Sequence, residues 1–133
     1  MDARTRSEQT LEVGRAADLV VIPTGQTKDD LRPAVKLAHA LADAGIDVGQ
    51  IAFALVKTTG SAADLAAARA YLRATEYTVL DGALPVSTAY GIAHDMGRAA
   101  TETPHRSLNV KAETLAQSII DRLGAVAQQR EVA

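Results

Sequence analysis

Leu19-Val20-Val21-Ile22-Pro23-Thr24-Gly25 is the stretch that decides the fold. Four apolar residues in a row, three of them β-branched, closed by Pro-Thr-Gly, read as a strand buried on both faces and followed by a turn. A strand without polar alternation needs a helical layer on each side of its sheet. The same signal returns at Ile51–Val56, ending at Lys57, and in shorter form at Thr78-Val79-Leu80, a strand with room to run on through Leu84.

Helical spacing fills the intervals. Leu31, Ala34, Val35, Ala38, Leu41 and Ala42 share one face, and Gly45 stops that helix. Pro33 fits only a first turn, which makes Asp29 or Asp30 the expected N-cap. Ser61-Ala62-Ala63-Asp64 has a capping-box pattern and opens a helix carrying Leu65, Ala68 and Leu72. Tyr90, Ala93 and Met96 suggest a short helix closed by Gly97. Asn109 is the expected cap of a last helix whose stripe is Ala112, Leu115, Ala116, Ile119, Ile120 and Leu123. Upstream, residues 1–17 form a polar segment with a short helix through Gln9–Arg15 that ends near Gly14; residues 18–133 make the α/β unit. This alternation predicts an α/β fold, a parallel sheet covered by helices. Right-handed crossovers bring the loops Thr24–Thr27, Lys57–Ser61 and Pro85–Thr88 to one edge, where ligands of such sheets bind.

Composition narrows the chemistry. At 133 residues the chain holds one core, and with only 3% aromatic residues that core is built from Leu, Ile, Val and Ala, which suits closely packed helices. The absence of Cys excludes disulfides, thiolate metal sites and cysteine nucleophiles. A formal net charge of -2 gives no global pull toward nucleic acid or anionic membrane. No apolar run approaches the length of a membrane span and the N-terminus is polar, so the expected location is cytoplasmic, with no membrane partner.

The search for motifs is mostly negative. A phosphate-binding loop needs a Gly-rich turn leading to Lys and then Ser or Thr. None of Lys28, Lys36, Lys57 and Lys111 follows a glycine, and Lys57 ends a strand. No G-x-G-x-x-G occurs, and His39, His94 and His105 lack metal-ligand spacing. Thr58-Thr59-Gly60-Ser61 and Gly82-Ala83-Leu84-Pro85 can each be read as N–H groups presented to an anion or as a plain turn with an N-cap.

Several stretches together resemble a known family. Gln9-Thr10-Leu11-Glu12, Ala17-Asp18-Leu19-Val20-Val21-Ile22-Pro23-Thr24-Gly25 and Asp29-Asp30-Leu31-Arg32-Pro33 come first. Ala52-Phe53-Ala54-Leu55, Gly82-Ala83-Leu84-Pro85, Gly97-Arg98-Ala99-Ala100-Thr101-Glu102-Thr103 and Ser107-Leu108-Asn109 follow in the same order. This series resembles the second half of ParA/MinD-type partition ATPases, the plasmid-type ParA proteins in particular. The likeness lies in the collinearity, since each motif alone is common in α/β proteins.

The resemblance implies a partial P-loop NTPase fold and a role in plasmid or chromosome segregation, as a truncated or split form. The family's ATP chemistry belongs to its first half, which has no counterpart here, so no intrinsic ATPase is expected of this chain. Asp2 corresponds loosely to the acidic residue opening the family's second switch segment, with Thr5 where Pro is expected. Val56 stands in place of the family's base-recognising Asn. The implied remnant of a base pocket is Val56, Lys57, Leu84 and Pro85 with Tyr90 nearby, although Val56 and Leu84 serve equally as core residues. ATP or ADP would then bind weakly through the base or be shared with a partner. Arg98, Arg106 and Arg122 are the implied non-specific DNA contacts. The implied partner is a second copy or a separate P-loop polypeptide at the edge of the strand Leu19–Ile22, over which only the polar segment Met1–Arg15 could fold. The alternative is a non-catalytic interaction or dimerisation module.

Overall fold

The structure is a computed structural model that describes residues 6–132. Asp2 and Thr5 lie outside the described residues. β2 (Ile51–Thr58) is the centre, and Ile51 through Leu55 are all buried. It lies between β1 (Val20–Thr24) and β3 (Thr78–Pro85), all parallel, in the order β1-β2-β3. Val20 stands opposite Ile51 and Phe53 opposite Val79 in the register. The third strand therefore runs on past Leu80, as the sequence allowed.

The strand order advances in one direction, so two right-handed crossovers put α2 (Lys28–Asp43) and α3 (Ala62–Arg73) on the same face. There Leu31, Ala34, Ala38, Leu41, Ala68 and Leu72 enclose Ile22, Phe53 and Leu55. Alanines at the contact let the helices approach closely, so few aromatic residues are needed. The other face is thinner: Ala52, Ala54 and Leu80 pack against Leu115 of α5 (Arg106–Val132), with Leu19, Val21, Leu84 and Ile119 beside them. α4 (Thr88–Asp95) follows β3, with Ser87 Oγ accepting from Ala89 N–H at its start.

The caps are partly as expected. Ser61 Oγ accepts from Asp64 N–H at 3.3 Å. Gly97, at φ 73°, ends α4, with Arg98 N–H bonded to Ala93 O at 2.8 Å. Four local expectations need correction. The N-cap of α2 is Thr27, not Asp29 or Asp30, so Pro33 sits in the second turn. Both Pro33 and Asp29 are exposed, and water can take the Asp29 carbonyl that a proline cannot bond. α1 (Arg6–Ala16) continues through Gly14. A Cβ at Gly14 would lie 2.7 Å from Ile46 Cδ1, so this glycine gives close packing rather than a stop. α5 begins before Asn109, whose side-chain amide accepts from Thr103 N–H (2.8 Å) and donates to Thr103 O (2.8 Å). The expected stripe on α5 is also only half used: Ala112, Leu115 and Ile119 face the sheet, whereas Ala116, Ile120 and Leu123 are exposed.

Candidate functional site

The C-terminal edge of the sheet gathers the three expected loops. Gln26, after β1, reaches the loop after β2, where its Oε1 accepts from Thr59 N–H at 2.9 Å and its Nε2 donates to Thr59 O. Val86 N–H donates to Thr58 O at 3.0 Å and joins the loop after β3. Lys57 is the one non-glycine residue at positive φ among the described residues, at 53°. It occupies the register shift between Val56 and Thr58, a bulge that leaves its side chain exposed.

The expected base wall forms in part. Val56 stands opposite Leu84, both half-buried, and Thr58 stands opposite Pro85. Pro85, Thr58, Thr59, Ser61 and Lys111 line a cleft of about 280 Å³, at the small end for a ligand site. Tyr90 has a separate role: its hydroxyl donates to Leu108 O at 3.0 Å, and burial raises its pKa. Lys111 was not indicated by the sequence. It lies on an unrelated helix, and an exposed helical lysine carries no local signal.

Charges of both signs meet at this cleft, with Lys111 in its lining and Asp64 in the first turn of α3. The N-terminus of α3, which would face an anion, already holds carboxylate charge: Asp64 is in the first turn and its Oδ2 lies 2.9 Å from where a Cβ on Gly60 would be. Gly82-Ala83-Leu84-Pro85 lies inside β3 instead of leading into a helix. Among the described residues, no group of three His, Cys, Asp or Glu could hold a metal ion. His39 Nδ1 lies 2.7 Å from the Tyr77 hydroxyl, in a packed contact between α2 and the entry to β3.

Of the three arginines proposed for DNA, Arg122 is tied into the fold. Its Nη2 donates to Gly49 O at 2.6 Å and its Nε is buried without a hydrogen-bond partner. Arg98 and Arg106 are exposed. Arg130 pairs with Asp18 at 2.8 Å, which brings the end of α5 to the start of β1. No described helix is long and apolar enough to cross a membrane.

The two outer edges of the sheet differ. On β3, Arg69 of α3 donates to Leu80 O (3.0 Å) and Gly82 O (2.7 Å), and Asp81 N–H donates to Ser118 Oγ (2.9 Å). These side chains satisfy backbone groups of a bulge at Leu80–Gly82, where the register with β2 shifts between Phe53 and Leu55, and that irregular course interrupts the ladder another strand would need. On β1, no described strand pairs with the outer edge. An open groove of about 760 Å³ runs along it, floored by Val20, Val21 and Ile22 and walled by Val13 of α1 and Leu37 of α2. α1 packs on the core through Leu11, so within the described residues the polar segment stands beside the edge without closing it. No protein-family model matches the chain, and no curated protein matches it.

Proposed function

We propose that this chain is a ParA-like association module of a plasmid or chromosome partition system, working in the cytoplasm without phosphoryl-transfer chemistry of its own. One observation supports association most: among the described residues the sheet has one edge interrupted by the bulge of β3 and the other formed by β1, apolar and without a strand beside it. Such an edge templates pairing with another chain. The ParA-like part of the reading rests on the collinear motifs from Gln9 to Asn109. Nucleotide is held weakly against Val56, Leu84 and Pro85, or is shared with a P-loop polypeptide that extends the sheet. Arg98 and Arg106 supply any DNA contact, which would be salt-sensitive.

The second reading, an interaction module with no nucleotide at all, is favoured by Asp64 at the start of α3, where phosphate would have to sit. A segregation assay separates the two. Deleting the coding sequence should raise the loss of the replicon or chromosome, with rescue by the wild-type chain. Unchanged inheritance would overturn the partition role.

A further inference from the structure

The chemistry of the β1 edge specifies its occupant. Pro23 has no N–H, so in a strand paired on one side its amide position faces away from β2. The N–H and C=O of one residue point the same way in a strand, and direction alternates, so Val21 and Leu19 face outward with it. Unpaired peptide groups call for an extended strand, not a helix or a lipid. The faces above and below decide what that strand carries. On the α1 side stand Val13, 70% exposed, and Leu37, 38% exposed.

On the other side α5 crosses the sheet. Ser118 bonds to β3, and Thr114 Cγ2 lies 3.2 Å from where a Cβ on Gly82 would be, so this flank of α5 faces the held edge. Ile120 and Leu123 lie roughly 140–200° around the helix from Ser118 at 100° per residue. They therefore look toward the β1 side, exposed at 60% and 39%. A strand added to β1 would have apolar side chains on both its faces.

We propose that the occupant is β1 of a second copy of this chain, paired antiparallel about a two-fold axis perpendicular to the sheet. This rests on the reading that the chain works by association through β1. The segment Leu19–Ile22, the first three residues of β1 with the residue before them, is itself apolar on both faces, so it meets the requirement that the edge sets. The axis keeps each face with its like, so Ile120 and Leu123 of one copy approach those of the other, and Val13 approaches Val13. Val21 opposite Val21 exchanges both bonds, and Leu19 N–H meets the carbonyl of Pro23 of the second copy. Only the two symmetry-related bonds for which proline lacks a donor are missing. Head-to-tail pairing of β1 with β3 would give an open filament, and the bulge at Leu80–Gly82 interrupts the ladder that edge would offer, so the closed contact remains.

Sedimentation velocity over a concentration series tests this, together with Ile120→Glu, Val21→Pro and a labelled peptide of Leu19–Thr24. We expect a species of twice the 13.9 kDa chain mass. Ile120→Glu should weaken it by roughly tenfold or more, the effect of a carboxylate left unpaired in an apolar contact, with circular dichroism unchanged. A dimer indifferent to both substitutions would overturn the proposal, because its interface would lie elsewhere. A persistent monomer that binds the peptide, and loses it with Val21→Pro, would overturn the second copy and keep the β1 reading. A monomer that ignores the peptide would sink both.

Discussion

Replacing Gly82 with Ala should loosen the contact between β3 and α5 more than its size suggests. Gly82 has φ 84°, a conformation that costs an L-residue about 1–2 kcal/mol. An added Cβ would lie 3.0 Å from the Leu115 backbone nitrogen, 3.3 Å from its Cα and 3.2 Å from Thr114 Cγ2. Two of these neighbours are helix backbone and cannot rotate away, so α5 must shift, at about 1–3 kcal/mol for overpacking. Ala also restricts the unfolded chain, which returns about 0.4–1 kcal/mol. The expected net loss is about 2–4 kcal/mol, a large part of the ~5–15 kcal/mol typical of a domain. Urea unfolding followed by circular dichroism measures it. Gly124→Ala is the control: no atom lies within 4 Å of the added Cβ, and mid-helix alanine should stabilise by about 0.5–1 kcal/mol. A Gly82→Ala loss below about 1 kcal/mol would refute the claimed close approach of β3 and α5.

Removing the guanidinium with Arg69→Met should free Leu80 O and Gly82 O, lower stability by about 1–3 kcal/mol and let β1 pair with β3 of another copy. Light scattering should then show open-ended growth, and an unchanged mass distribution would remove Arg69 as the edge guard. Burial, with Glu76 and Asp43 near, raises the Tyr77 pKa above 10.0. Folding thus favours the neutral phenol, and its stabilisation is complete below 10.0 and is lost as pH rises through the folded value. Tyr77→Phe should reduce that alkaline loss, at about 1 kcal/mol for the bond to His39; an identical alkaline profile would contradict it. The purified chain should show no magnesium-dependent ATP turnover, and any nucleotide affinity should be weak, magnesium-insensitive and reduced by Lys57 or Pro85 substitution. Tight magnesium-dependent binding in calorimetry would contradict this, since that affinity comes from phosphate contacts.

The central strand was the most legible element. Five consecutive apolar residues from Ile51 have only one comfortable place, between two strands and two helical layers. Ser61 and Asp64 were equally plain, because a capping box is a local pattern. Pro33 misled because a proline rule assumes that the freed carbonyl is buried, and at the exposed Asp29 it is not. Gly14 misled because its meaning depends on Ile46, a residue far along the chain. The site was harder. Val56, Leu84 and Pro85 come together because strand register puts them there. Lys57 in the left-handed region, Lys111 at the cleft and Arg69 on the β3 carbonyls left no trace in local pattern, since each depends on contacts set by the tertiary fold.

Hydrogen exchange at the Val21 amide tests the association account most directly. With the Pro23 amide position facing outward, strand alternation aims the N–H groups of Val20 and Ile22 at β2 and that of Val21 outward, so neighbouring amides on one strand report the inner and outer edges separately. Ile22 should be protected at every concentration. Val21 should exchange freely in dilute solution and become protected as the chain associates, with Ile120→Glu shifting that change to higher concentration. Free exchange at Val21 at all concentrations and with strand peptide present, or full protection in the dilute monomer, would contradict it.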